Sequence, residues 1–199
     1  MSKTIDYYFA LGSVWSYMGA ERLEAIAGRH KAAIDYRPVD MGALFEQTGG
    51  LPLPKRAPAR QAYRLVEIER WRDFLGIPVT LKPRFFPVDI SKATGMIIAA
   101  RQAGHPCGQV CIALQRALWA EEKDISDPQI LLDIAAAAGL DGPALLEAGE
   151  SDAVKSELED NTRRAIEAGA FGAPSYVYNG ILFWGQDRLD FLDRALAAG

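Results

Sequence analysis

Ser13 is the first residue whose type and position suggest chemistry, because it follows the short apolar run Ile5 to Leu11 and the turn residue Gly12. The run is typical of a buried strand, and the segment from Val14 onward has helical spacing, so Ser13 is predicted to begin a helix. Unpaired amides and the helix dipole favour an anion at that position. A serine there can donate a hydrogen bond to a ligand thiolate, or it can merely cap the helix, and spacing alone favours the cap.

A second candidate site is the segment Phe171-Gly172-Ala173-Pro174-Ser175, which precedes a predicted strand. X-Pro bonds are the peptide bonds that adopt the cis form readily, so Ala173-Pro174 is a candidate cis bond. A cis bond would turn the amide and carbonyl of Ala173 outward to pair with an extended, peptide-like ligand. The alternative is an ordinary trans proline that ends a helix and starts a strand, and the sequence alone favours that alternative.

A third candidate is the polar turn Trp184-Gly185-Gln186-Asp187-Arg188, just before the last amphipathic stretch. Asp187 can cap that final helix or bind a ligand amine. Aspartate is a preferred cap residue, so capping is the interpretation that composition favours.

The two cysteines, Cys107 and Cys111, are spaced by four residues and form no Cys-x-x-Cys pair. The usual spacing of a redox motif is therefore missing. His105 and the distant His30 are the histidines that could complete a metal site with them. Two small apolar residues on a buried helix face are the favoured interpretation, so no metal site is predicted.

The elements that must position these residues follow from hydrophobic periodicity. A strand over 5–11, a helix over 14–28 and a strand over 32–39 form the first unit, whose strands are expected to be parallel. Residues 41–169 are mainly helical in pattern, with helix starts predicted at Asp127-Pro128 and Ser151-Asp152 and a helix end at Gly169. Two short strands, 175–178 and 181–184, flank Asn179-Gly180, which is a strong hairpin signal, and a final amphipathic helix follows. Two α/β segments therefore flank an all-helical insertion.

Composition excludes several classes of protein. The 199 residues are 49% apolar and 24% charged, with a formal net charge of -4, as in an ordinary globular protein. Nucleic-acid binding is not expected, because it needs a concentrated basic surface. No apolar run is long enough to cross a bilayer, so no membrane partner is expected. The first residues lack the basic start and cleavage site of a secretory signal, which predicts a cytoplasmic protein.

Taken together with Ala117-Leu118-Trp119-Ala120 and Asp124-Ile125-Ser126-Asp127, the order and spacing of these motifs resemble the 2-hydroxychromene-2-carboxylate isomerase family. That family is related to kappa-class glutathione transferases within the DsbA-type thioredoxin superfamily. The resemblance extends from Ile5 to Leu196. It implies an α/β, thioredoxin-like fold with a large helical insertion: residues 1–40 and 170–199 would form the thioredoxin-like domain, and residues 41–169 the insertion.

The resemblance also implies a glutathione-dependent isomerase with glutathione as cofactor and Ser13 as the catalytic residue beside its sulfur. The residues implied to bind glutathione are Ala173, Pro174, Asp187, Arg188, Arg60 and Gly50. In this interpretation the Ala173-Pro174 bond is cis and holds the cysteinyl backbone. Asp187 would meet the γ-glutamyl end, and Arg60 would lie near a carboxylate.

The implied substrate is a small aromatic compound from a degradation route, and the implied assembly is a homodimer. The candidate substrate-pocket residues are Trp15, Tyr17, Phe85, Phe86 and Arg84, of which Arg84 can attract a carboxylate. The sequence departs from the family pattern at Ala10, Val14, Glu46 and Gly50, where aspartate, proline, lysine and asparagine are usual. The alternatives are a kappa-like glutathione transferase and a non-catalytic thioredoxin-fold protein that binds peptides or thiols.

Overall fold

The fold is built on a four-stranded mixed sheet, seen in a computed structural model that describes residues 3–199; Met1 and Ser2, part of the predicted 1–40 segment, lie outside the described residues. The strands are β1 Thr4–Phe9, β2 Ala33–Pro38, β3 Ser175–Tyr178 and β4 Ile181–Trp184. Their order in the sheet is β2-β1-β3-β4. The predicted parallel β1–β2 pair and the β3–β4 hairpin are confirmed, although β1 ends at Phe9 rather than Leu11.

The predicted helical character of the middle of the chain is also confirmed. The helices are α1 Val14–His30, α2 Met41–Thr48, α3 Pro58–Leu75, α4 Ser91–Gln102, α5 Gly108–Trp119, α6 Pro128–Ala137, α7 Gly142–Gly149, α8 Asp152–Glu167 and α9 Leu189–Ala198. Short 3-10 turns lie at Leu53–Lys55 and Gln186–Arg188. Within residues 3–199, none of these helices is both long and apolar enough to span a membrane.

Local capping explains where several helices begin and end. The Asp127 carboxylate accepts a hydrogen bond of 2.9 Å from the amide of Gln129, and Pro128 occupies the first position of α6. The Ser151 hydroxyl accepts a bond of 3.3 Å from the amide of Val154 at the start of α8. Gly169 follows α8 with φ of 83°, a left-handed conformation that glycine adopts without a steric penalty. These termini agree with the predicted ones.

The antiparallel pairing of β1 with β3 joins the two ends of the chain. In this register Asp6 lies opposite Val177, Tyr7 opposite Tyr176 and Tyr8 opposite Ser175. The end of β1, which leads to α1, is therefore beside the start of β3.

One hydrophobic cluster continues from the sheet into the insertion. The ring of Tyr7 stacks on that of Phe9 at 4.7 Å and on that of Tyr176 at 5.3 Å between centroids. The same cluster includes fully buried side chains of α4 and α5, such as Ile97 and Leu114. The sheet and the helical insertion therefore pack against a common core.

Both cysteines contribute to this core. Cys111 lies on the buried face of α5, and Cys107 lies immediately before the helix. Burial raises the pKa of the Cys107 thiol to about 11 and that of Cys111 well above its ordinary value. The predicted burial of these cysteines is confirmed, and both thiols are held in the protonated form.

Helices α4 and α7 approach each other closely at Gly95 and Gly149. A β-carbon added at Gly95 would lie 2.5 Å from the carbonyl oxygen of Gly149, closer than real β-carbon contacts. Gly28 in α1 is different: within residues 3–199, a β-carbon there would meet no atom closer than 4 Å. The absence of a side chain is therefore required by packing at Gly95 but not at Gly28.

These two glycines make a matched pair for a stability test. We expect Gly95→Ala to lower the free energy of unfolding by about 1–3 kcal/mol, because the methyl group must push two helices apart. We expect Gly28→Ala to raise it by about 0.5–1 kcal/mol, because alanine is the better helix former. Thermal denaturation measures both, and a Gly95→Ala protein as stable as wild type would contradict the close contact.

Candidate active site

Ser13 is the N-cap of α1. Its backbone is extended, with φ of −88° and ψ of 118°, and its side-chain oxygen accepts a hydrogen bond of 3.3 Å from the amide of Ser16. The same hydroxyl donates to the carbonyl oxygen of Ala173 at 3.4 Å, across 160 residues of sequence. The capping interpretation is therefore correct, and the cap also lies against the second predicted site.

The Ala173-Pro174 peptide bond is cis, as predicted. A second X-Pro bond, Phe86-Pro87, is also cis, which the sequence analysis did not anticipate. The carbonyl of Pro174 accepts a hydrogen bond of 2.9 Å from the amide of Gly185, which joins the cis-proline segment to the turn after β4.

A cavity of about 570 Å³ opens beside Ala173 and Pro174. That volume is within the range of small-molecule sites. Its lining includes six of the predicted site residues: Trp15, Arg60, Ala173, Pro174, Asp187 and Arg188. Within residues 3–199 the lining leaves out Ser13, whose hydroxyl is hydrogen-bonded to the carbonyl of the lining residue Ala173 at 3.4 Å. Segments from the two ends of the chain and from α3 thus meet around one cavity.

Helix α3 forms a wall of the cavity that the sequence analysis anticipated only at Arg60. The lining residues of this helix are Ala59, Arg60, Tyr63, Arg64, Glu67 and Trp71. Apart from Ala59 each lies three or four positions from another of the set, at 60, 63, 64, 67 and 71, and so they share one face of the helix. The other lining residues that were not predicted to contact a ligand are Arg56, just before the helix, and Trp184, Gly185 and Gln186. The sequence carries no signal that separates this face from a solvated one, because the helical spacing is the same in both cases.

Asp187 and Arg188 form an ion pair of 3.0 Å, and both are exposed. The interpretation of Asp187 as the cap of the last helix is wrong. The N-cap positions are Gly185 for the 3-10 turn and Arg188 for α9, and neither helix start has a side-chain cap bond. The Asp187 carboxylate instead lies over Gly185, whose added β-carbon would be 2.4 Å from it, and Asp187 lines the cavity.

The remaining predicted pocket residues lie elsewhere among the described residues. Tyr17 is only 7% exposed, and its hydroxyl donates to the carbonyl of Pro78 at 2.9 Å. Phe86 packs on Trp119, with centroids 4.8 Å apart. Arg84 is exposed, and its guanidinium lies 5.1 Å from the ring centroid of Phe85. Within residues 3–199 the cavity lining leaves out Tyr17, Arg84, Phe85 and Phe86.

Gly50 lies against the ring of Phe45. An added β-carbon would be 2.1 Å from that ring, so a larger residue at position 50 requires Phe45 to move. The guanidinium of Arg56 lies 5.9 Å from the same ring centroid, and Arg56 lines the cavity. Within residues 3–199 the cavity lining leaves out Gly50.

The cavity is rich in positive charge. Four arginines line it, Arg56, Arg60, Arg64 and Arg188, together with the carboxylates of Glu67 and Asp187. Glu67 already pairs with Arg70 at 2.7 Å on the outer side of α3, and hydrogen bonds from Arg70 and Tyr63 lower its pKa. Both carboxylates therefore have cationic partners, and the site favours an anionic ligand.

Comparison with known proteins agrees with this architecture. The family model of the DSBA-like thioredoxin domain matches residues 4–197. The chain is 32% identical over 197 residues to a 2-hydroxychromene-2-carboxylate isomerase of Sphingobium xenophagum, covering 98% of this chain and 99% of the relative. It is 24% identical to glutathione S-transferase kappa 1 of Rattus norvegicus, covering 96% and 89%.

Among solved structures, a 2-hydroxychromene-2-carboxylate isomerase superposes with a TM-score of 0.80 at 24% identity, over 98% of this chain and 95% of the other. The predicted fold class, an α/β thioredoxin-like fold of the DsbA type, is confirmed. The relatives named here are an isomerase and a transferase, which supports an enzymatic role. The chain belongs to the DSBA-like thioredoxin family and, within it, to the 2-hydroxychromene-2-carboxylate isomerase family.

Proposed function

We propose that this protein is a glutathione-dependent isomerase that interconverts a chromene carboxylate and its ring-opened benzylidenepyruvate. The observation that carries the proposal is the Ser13 hydroxyl, which sits at a helix N-terminus 3.4 Å from the Ala173 carbonyl and beside a cationic, aromatic cavity. The 32% identity to an isomerase across the whole chain supports the same reaction.

The groups around the cavity suit glutathione, which carries two carboxylates, one ammonium group and a thiol on an extended backbone. Arg60 and Arg188 suit the carboxylates, since guanidinium binds carboxylate through parallel hydrogen bonds. Asp187 suits the ammonium group of the γ-glutamyl end. The backbone of Ala173 can pair with the extended peptide, and Ser13 would then be next to the sulfur.

Glutathione, when bound, would supply a thiolate for reversible addition to the conjugated double bond of the substrate, which would make that bond single and free to rotate. The protein's contribution is electrostatic and positional. The single proton of the Ser13 hydroxyl, which the Ala173 carbonyl accepts at 3.4 Å, would turn to the sulfur when glutathione binds. The amides at the start of α1 add a favourable field. Trp15 and Trp71, both lining the cavity, provide flat apolar surface against the aromatic ring.

A kappa-like glutathione transferase is the second candidate, favoured by the 24% identity to a kappa-class enzyme over almost the whole chain. It would use the same serine and the same glutathione contacts, but the thioether would be released as product. A non-catalytic protein that binds peptides or thiols is the third, and it would leave both substrates unchanged.

The first prediction concerns the thiol of bound glutathione. Replacing Ser13 by alanine should raise its pKa by about one to two units, because a hydrogen bond to a charged group is worth about 1.5–3 kcal/mol. Thiolate absorbance in the ultraviolet, followed against pH with glutathione bound, measures the shift.

Ser151→Ala is the matched control for that measurement. Ser151 is also a helix N-cap with a 3.3 Å bond to the amide three residues on, and it starts α8 rather than α1. Both variants should lose about 0.5–2 kcal/mol of stability from the cap, but only Ser13→Ala should move the thiol pKa. Superimposable titrations of wild type and Ser13→Ala would contradict the proposed role.

The second prediction separates isomerisation from conjugation. With glutathione and a 2-hydroxychromene-2-carboxylate, substrate absorbance should change while total free thiol stays constant, because an isomerase regenerates its thiol. With a chlorinated aromatic compound, thiol should not fall. Thiol loss in step with product, without glutathione-dependent change of the chromene, would show the transferase instead.

The third prediction is that the protein does not reduce disulfides. Position 13 carries a hydroxyl, which cannot exchange with a disulfide, and both cysteines are buried with raised pKa values. An insulin-reduction assay should therefore show no turnover above a buffer blank. Turnover that survives Ser13→Ala would reveal a thiol-based activity and count against the proposal.

A further inference from the structure

We propose that Arg64 is the residue that binds the carboxylate of the small aromatic substrate, the role for which the sequence had suggested Arg84. This inference rests on the proposed function and deepens it, because it assigns the substrate end of the cavity to a particular side chain.

Arg64 is half-buried and lines the cavity from α3. Its guanidinium carbon lies 5.6 Å from the ring centroid of Phe86 and 5.8 Å from that of Trp119. Trp119 is 0% exposed, so these rings support the guanidinium from behind. Cation–π contacts of this kind fix its position without using its hydrogen-bond donors.

Arg64 has no counter-charge among the described residues: no carboxylate lies within ion-pair distance of its guanidinium, and no acceptor hydrogen-bonds to it. Two arginines further along α3 are different, since Arg70 pairs with Glu67, and Arg72 pairs with Glu69 and Asp73. Partial burial of an unpaired cation is unfavourable. Burial, together with nearby Arg56, lowers the pKa of Arg64 to about 10, so it remains charged at neutral pH.

An anion that entered the cavity would relieve this cost. The planar guanidinium matches a carboxylate through two parallel hydrogen bonds. The aromatic side chains that line the same cavity are Trp15, Tyr63, Trp71 and Trp184. A flat ring that carries a carboxylate satisfies both features together, whereas an aliphatic anion satisfies only the first.

Two other assignments fit less well. Glutathione has two carboxylates, and Arg60 and Arg188 in the same lining suffice for them, so Arg64 remains available. Arg84 is exposed, and within residues 3–199 it is left out of the cavity lining, with its guanidinium over the ring of Phe85. A charge there is screened by solvent and does not face the cavity.

The test measures binding rather than turnover. Chromone-2-carboxylate, a flat and unreactive carboxylate, and chromone, which lacks the carboxylate, are titrated by calorimetry into wild type, Arg64→Met, Arg64→Lys and Arg72→Met. Arg64→Met should lower the affinity for chromone-2-carboxylate by about tenfold or more. Arg64→Lys should lose less affinity, because lysine keeps the positive charge but cannot form the two parallel hydrogen bonds of a guanidinium. Arg72→Met, on the same helix, should bind as wild type does, and chromone should bind all four proteins alike.

Glutathione is titrated into the same proteins, and its dissociation constant should not change in Arg64→Met. Equal affinity of wild type and Arg64→Met for chromone-2-carboxylate overturns the inference, as does a matching loss of glutathione affinity, which would assign Arg64 to a glutathione carboxylate. Absence of saturable chromone-2-carboxylate binding to wild type overturns it too. None of these results touches glutathione binding by wild type, whose failure would instead count against the proposed function.

Discussion

The antiparallel pairing of β1 with β3 is the constraint on which the site depends. The register that sets Tyr8 opposite Ser175 brings the turn after β1 beside the segment before β3. Ser13 and Ala173 therefore come within 3.4 Å although 160 residues separate them. A slip of this register by one residue would turn the core-facing side chains of the strand outward, so the same burial that stabilises the sheet also maintains the site.

The wall of the cavity that α3 forms is positioned by a different set of contacts. Helix α3 packs its apolar stripe, which includes Ile68, against the common core and turns Arg60 and Arg64 toward the cavity. Tyr17 reaches from α1 to the carbonyl of Pro78, three residues beyond the end of α3. The sequence placed Tyr17 in the substrate pocket; its position suits a supporting role, because it ties the chain leaving α3 to the helix that begins at Ser13.

The parts of the fold that could be predicted from sequence were those with local signals. Alternating and helical periodicity, Asn179-Gly180 and the caps at Asp127 and Ser151 each determine structure over a few residues. The inner face of α3 could not be predicted, because the spacing of Arg60 and Arg64 is the same for a cavity wall as for a solvated face. Tertiary placement decides between them. Local capping preference misled at Asp187, because a 3-10 turn begins there at Gly185 with φ of 100°.

The burial of Cys107 and Cys111 limits the reactivity of the two thiols toward disulfides in solution. Exchange with a disulfide requires a thiolate that can reach the sulfur under attack. With a pKa of about 11, roughly one Cys107 side chain in ten thousand is ionised at pH 7, and Cys111 is more deeply buried still. Oxidised glutathione therefore finds no reactive partner in these two cysteines, and the protein should resist S-glutathionylation even where the tripeptide is abundant.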